Sequence, residues 1–189
     1  MNKRETHYFK SDKEWRAWLL QNHNTSTGVY LILYRVNSGI SSMRWEEAVR
    51  VALCFGWIDS TSKRMDDQKR QQLFTPRKTK SVWSKLNKTH IEDLNKKGLM
   101  HVSGLNKIEA AKTDGSWEAL DQVENLTIPE DLLLAFKNNA VAYQNYQKFS
   151  PSYRKSYLYW LNSAKRTYTR EIRISEIIRL CEENIKMRS

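Results

Sequence analysis

Cysteine is scarce in this chain. The two present, Cys54 and Cys181, lie far apart, each inside an apolar pattern. That excludes a disulfide framework or a cysteine-rich zinc site as the basis of the fold, and both read as small buried hydrophobes. Nowhere do the roughly eighteen consecutive apolar residues of a membrane-spanning helix occur. The charged opening run Met1-Asn2-Lys3-Arg4-Glu5 has no apolar segment behind it, so no membrane span and no secretory leader are expected, and a cytoplasmic location is. Three prolines and six glycines in 189 residues leave little material for a long flexible linker. Several chemistries are missing as well. His7, His23, His90 and His101 have no metal-ligand spacing among themselves or with the cysteines. There is no Gly-x-Gly-x-x-Gly run, no phosphate-loop lysine and no Gly-x-Ser-x-Gly turn. No metal and no cofactor is implied, and nothing demands an enzyme.

Positive charge and large aromatic side chains, by contrast, are plentiful. Lys+Arg number 32 against 21 Asp+Glu, a formal net charge of +11, enough to attract anions and speed their encounter. Nucleic acid, a small anionic metabolite, an acidic protein or an anionic membrane face would all suit such a chain, and so would a solvated surface with no partner. Seven tryptophans and nine tyrosines exceed what packing needs, which predicts that some line a surface or cleft. The length suffices for a sizeable core without staples.

Local signals predict the elements. Ser11-Asp12-Lys13-Glu14 has the form of a capping box, and Trp15, Trp18 and Leu19 follow at helical spacing, giving a helix from Asp12 to Gln21. Gly28 to Arg35 is β-branched and aromatic and reads as a strand buried on both faces. Ala48, Val49, Ala52 and Leu53 fit one face of a helix from Trp45 that stops at Gly56. Trp57 to Met65 and Gln71 to Thr75, joined by a polar link, read as a hairpin. Trp83, Leu86, Ile91 and Leu94 predict a helix ending at Lys96-Lys97-Gly98. Beyond it the chain reads as helical: a short helix around Ile108 that stops by Asp114-Gly115, one opening at Pro129-Glu130-Asp131, and one capped by Ser150 before Pro151. A last helix from Thr169 to Lys186 would bury Ile174, Ile177, Ile178, Cys181 and Ile185. The expected class is α+β: a small antiparallel sheet with packed helices over residues 1–125, then an all-helical part over residues 126–189.

Three constellations carry the functional expectations. In Gly56-Trp57-Ile58-Asp59, strand alternation puts Trp57 and Asp59 on one face and Ile58 toward the core. Asp59 is then a candidate general acid or base beside an indole, or a carboxylate paired with Arg64 or Arg70. Thr75, Arg77, Ser81, Trp83 and Asn87 form a candidate ligand site. A helix starting near Ser81 would offer its amides to an anion next to Arg77 and Lys78, with Trp83 and Asn87 on one helical face. The structural alternative is a capped helix with a satisfied asparagine and a packed tryptophan. Arg35, Arg44 and Trp45 would join this rim only if the fold brings them there. Arg166, Arg170 and Arg173 recur at spacings of four and three, either a nucleic-acid face or arginine stems covering a core.

The runs Cys54 to Asp59, Thr75-Pro76-Arg77, Ser81 to Ser84, Asp114 to Trp117, Ile128 to Leu132 and Thr169 to Ile174, with Trp15 to Leu19 and Gly28-Val29-Tyr30, resemble the YdeI/OmpD-associated, or bacteriocin-protection, family over most of the chain. The resemblance implies a mixed α/β part followed by helices, a cytosolic bacterial protein and an association with protection against bacteriocins or cationic peptides. It brings no catalytic residue. The expectation is a non-catalytic binding protein with a cleft at Trp57, Asp59, Thr75, Arg77, Ser81, Trp83 and Asn87 for a small anionic ligand or a peptide end. The alternatives are a nucleic-acid binder using Arg166, Arg170 and Arg173, and an enzyme using Asp59.

Overall fold

Ser11 opens the first long element as its sequence requires. In the computed structural model, which describes residues 4–187 and so leaves the start of the charged N-terminal run outside, the Ser11 hydroxyl accepts from the Glu14 amide at 3.4 Å. The Glu14 carboxylate reaches back to the Lys10 amide at 2.8 Å, one residue ahead of the amide that a capping box uses. The chain runs through β1 (Thr6–Tyr8), α1 (Asp12–Asn22), β2 (Val29–Tyr34), α2 (Trp45–Cys54), β3 (Trp57–Arg64) and β4 (Lys69–Pro76). The sheet order is β1-β2-β4-β3. β2 and β3 are both antiparallel to β4, whereas β1 is parallel to β2. The predicted hairpin is present, but the sheet is mixed, because β1 is too short to leave a periodic pattern.

One face of this sheet is covered and the other is half open. Val29, Leu31 and Leu33 are buried and Tyr30, Ile32 and Tyr34 only partly, so β2 is not buried on both faces as expected. Trp15 and Leu19 of α1 and Ala48, Val49 and Ala52 of α2 share a core with Val29, Leu31, Trp57 and Phe74. Two indole N–H groups are satisfied inside it, Trp15 donating to the Ala48 carbonyl at 3.1 Å and Trp57 to the His23 carbonyl at 3.0 Å. Trp57 therefore points into the core and Ile58 away from it, the reverse of the expectation. Alternation fixes which residues share a face, not which face the helices cover.

The predicted stop of α2 holds, with Gly56 at φ +74. α3 (Lys85–Lys96) starts later than expected. Ser84, not Ser81, caps it by accepting from the Asn87 amide at 3.3 Å, so Trp83 precedes the helix and shares no helical face with Asn87. α4 (Val102–Thr113) crosses the end of α2 so closely that a Cβ at Gly104 would lie 2.2 Å from the Cys54 carbonyl oxygen.

Residues 1–118 form one compact unit and residues 119–189 a second. The second consists of α5 (Asp121–Glu124), α6 (Glu130–Lys137), α7 (Ala140–Lys148), α8 (Pro151–Asn162) and α9 (Thr167–Glu182). Its core holds Leu132, Phe136, Tyr146, Leu158, Leu161, Ile177 and Cys181. Pro151 opens α8 as expected, but the Ser150 side chain makes no cap bond. α9 is shorter than predicted: Ile185 lies beyond it, 38% exposed, and Leu180 is buried instead. The α+β class stands, and among the described residues no helix is long and apolar enough to cross a membrane.

Two stability predictions follow from the packing. Gly104→Ala is expected to destabilise the protein by about 1–3 kcal/mol, because backbone rather than a movable side chain meets the new methyl; denaturant unfolding measures it. His90 is held below the ordinary imidazole range by burial and then by Arg50, and His101 by burial and then by His23 and Arg16. At a given pH in this range the folded chain then holds fewer protons on these rings than the unfolded chain does. Their contribution is complete above about pH 6.5 and is lost as the pH falls below it. The unfolding midpoint should drop between pH 7 and pH 5, and less steeply in His90→Gln.

Candidate functional site

The residues expected to form one cleft are dispersed. Arg77 is only 3% exposed, its guanidinium 3.5 Å from the centroid of the Trp83 ring. One of its groups donates to the Val82 carbonyl at 3.1 Å, while Nε and the other terminal nitrogen have no partner. Burial pushes its pKa down to about 10, against a smaller opposing effect of Asp59. Arg77, Ser81 and Trp83 line a cavity of about 40 Å3, room for one or two waters. The Asp114 carboxylate closes the loop over it by accepting from the Lys80 and Ser116 amides, with Lys80 at φ +59. Trp57 is in the core. Thr75 is paired with Ile58 in the sheet, and Asn87 sits in the first turn of α3. None of these three, nor Asp59, borders the cavity.

Asp59 belongs to a different feature. Its Oδ2 accepts from the Trp45 indole at 2.9 Å and from the Gln72 amide at 3.3 Å, so it pairs with neither Arg64 nor Arg70. Between Asp59 and Ser62 the pairing slips: their partners on β4 are Phe74 and Gln72, so β3 spends three steps where β4 spends two. This bulge keeps Ser62 and Arg64 on the face of Trp57 and Asp59, which strict alternation would not do. Arg64 comes to lie directly opposite Arg70, and Arg70 opposite Leu33.

The result is a cleft of about 520 Å3 over the hairpin end of the helix-covered face, walled by Arg35, Arg44, Trp45, Arg64, Lys69 and Arg70 and bordered also by the buried Leu33 and Met43. No acidic residue lines it. Arg64 is paired with Asp67, and Lys69 stands 3.7 Å from Asp66. Among the described residues no carboxylate pairs with the side chain of Arg35, Arg44 or Arg70. The first turn of α2 brings Glu46 and Glu47, of which Glu47 is turned to the Arg44 amide at 2.6 Å. Arg35, Arg44 and Trp45 do assemble, but with the hairpin cations rather than with Arg77. The missed signal was Arg64 to Arg70 itself: a hairpin brings its two ends together, so cations flanking its turn meet.

In the helical unit the arginine stripe is largely engaged. Arg170 makes a two-pronged contact with Asp131 and also reaches the Leu161 carbonyl. Arg173 donates to the Trp160 carbonyl and, at 2.8 Å, to the Ser163 hydroxyl, with its guanidinium 5.1 Å from the Trp160 ring. Arg166 alone of the three is exposed, the other two being half-buried. Among the described residues no group of three or more His, Cys, Asp or Glu is placed to hold a metal ion.

These placements predict how the buried arginine behaves. Arg77→Met, which removes a desolvated charge but keeps the bulk under Trp83, should leave stability within about 1 kcal/mol or raise it. Arg77→Ala, which leaves a hole, should cost about 2–4 kcal/mol, both read by denaturant unfolding.

Residues 125–184 match a family model described as bacteriocin-protection, YdeI or OmpD-associated, which bears out the resemblance over that segment. Residues 7–107 match a different model, a domain of unknown function designated DUF8412. No curated protein and no solved structure matches the chain. The first segment, just over half of the sequence, places the chain in the DUF8412 family, with a YdeI/OmpD-associated segment following it.

Proposed function

We propose that this protein is a non-catalytic binding protein whose anion-accepting cleft lies over the hairpin end of the sheet, not around Arg77. One observation carries the reading: Arg64 and Arg70 stand directly opposite each other on β3 and β4, in a cleft with no carboxylate in its wall. Like charges directly across a ladder destabilise a sheet, and an anion between them reverses the sign of that term. Three further arginines or lysines within reach would add charge-assisted hydrogen bonds. Arg77 is less suited to an exchangeable ligand, because its cavity admits little more than water.

Asp59 fits a positioning role better than a catalytic one, since one oxygen already accepts from two donors. The nucleic-acid reading for the last helix draws little support from Arg170 and Arg173, which are engaged within their own unit. The bacteriocin-protection description fits this chain indirectly. A cleft of this sign, on a chain of net charge +11, repels a cationic toxin rather than sequestering it; a protective role would run through an anionic molecule.

The test is a calorimetric titration with inorganic tripolyphosphate at two salt concentrations. Saturable binding that weakens with salt is expected, falling at least about tenfold in the double variant Arg35→Glu, Arg70→Glu. Equal affinity in that variant, with a loss in Arg166→Glu instead, would transfer the anion site to the helical unit.

A further inference from the structure

The cleft contains one feature that an anion site does not need. Trp45, the first residue of α2, stands in its wall with 37% of its surface exposed. Trp15, Trp57 and Trp83 turn into the core. Trp45 is instead held by its N–H on Asp59, and Asp59 is in turn held by Gln72, which is buried and bonds also to the Ser60 carbonyl at 3.0 Å. The edge of the ring is anchored while part of its surface stays in solvent. Arg35, Arg44 and Arg70 flank it with no carboxylate partner among the described residues. A volume of about 520 Å3 lies within the range of small-molecule sites, roughly 300–1,000 Å3. An aromatic platform beside a cationic groove is how proteins hold a base and its phosphate without reading the base's hydrogen-bonding edge.

From this geometry we infer that the cleft takes a phosphorylated planar heterocycle, its ring against Trp45 and its phosphate among Arg35, Arg44 and Arg70, either as a free nucleotide or as one residue of a single strand. The inference rests on the anion-binding reading above and adds the ring. Leu33 and Met43 supply apolar lining beside the indole. Nothing in the arrangement distinguishes one base from another, so affinity should vary little among bases. Asp59 acts here as a positioning residue, fixing the plane of the ring.

The experiment uses the full chain in calorimetric titrations near physiological salt, with adenosine monophosphate, ribose 5-phosphate, adenosine and oligoadenylates of increasing length. Adenosine monophosphate is expected to bind at least about fivefold tighter than ribose 5-phosphate, the lower end of what stacking one base contributes. Trp45→Leu should abolish that ratio and leave ribose 5-phosphate binding unchanged, Trp45→Phe should keep most of it, and thermal unfolding should show both variants folded. Equal binding of the two phosphates, lost in the Arg35→Glu, Arg70→Glu variant, would overturn the ring and leave the anion site standing. No binding of either phosphate, with tripolyphosphate also inert, would overturn both. Affinity that rises with oligoadenylate length identifies the strand as the source; affinity that does not identifies the free nucleotide.

Discussion

The helices of the N-terminal unit cover one face of its sheet, and only part of that face's length; core and cleft both follow from this. At one end Val29, Phe74 and Trp57 meet Trp15 and α2 in a dry cluster. Toward the hairpin turn the same face carries Asp59, Gln72, Ser62, Arg64 and Arg70. Trp45 stands at the join, its ring bonded to the last acidic residue before the cations begin. The bulge on β3 sets this boundary. In regular pairing Ser62 and Arg64 would face the other way, and Lys63 rather than Arg64 would stand opposite Arg70.

Much of the fold was legible because the signals were local. Ser11, Gly56, Gly98 and Pro129 mark the ends they were expected to mark, and the polar link between Met65 and Gln71 does turn a hairpin. Each of these depends on what a residue does to its own backbone. The errors share a different cause. Trp57 and Ile58 were assigned to the wrong sides because the partners that decide it, Trp15 and His23, are remote in sequence. Ser81 and Ser84 are equally good caps by composition, and Ser84 is the one that accepts from a first-turn amide. β1 has three residues, too few for periodicity. The bulge is invisible in sequence, and with it the meeting of Arg64 and Arg70.

The arginines show the same limit from the side of function. Spacings of four and three left Arg166, Arg170 and Arg173 readable either as a nucleic-acid face or as stems covering a core. Long stems at that spacing can turn back onto neighbouring helices, and Arg170 and Arg173 do so, toward Asp131 and Trp160. Arg77, next to a proline and a lysine, looked like a rim and proved to be under a tryptophan. Arg35 and Arg44, expected at the Arg77 rim only if the fold brought them there, flank a different cleft. Charge and spacing establish that cations are present; whether each is already satisfied is a tertiary property.

A like-charge pair across a ladder is the kind of local rule that a sequence selected only for stability would avoid, since a threonine or glutamate at either position would remove the repulsion. Here the pair sits at the end of the sheet, where solvent screens it and its cost is small, and where the helices leave room beside it. The penalty is therefore one the fold can carry without being near its limit. Breaches of local consistency tend to mark places where function outweighs stability. The buried Arg77 is a second breach; stacking on an indole and one bond to a carbonyl account for it in part, though two of its nitrogens have no partner. Arg64 opposite Arg70 has no such internal account: Asp67 draws Arg64 toward the turn and leaves Arg70 without a counter-charge. Of the two, the exposed pair is the one that a ligand from solvent can complete.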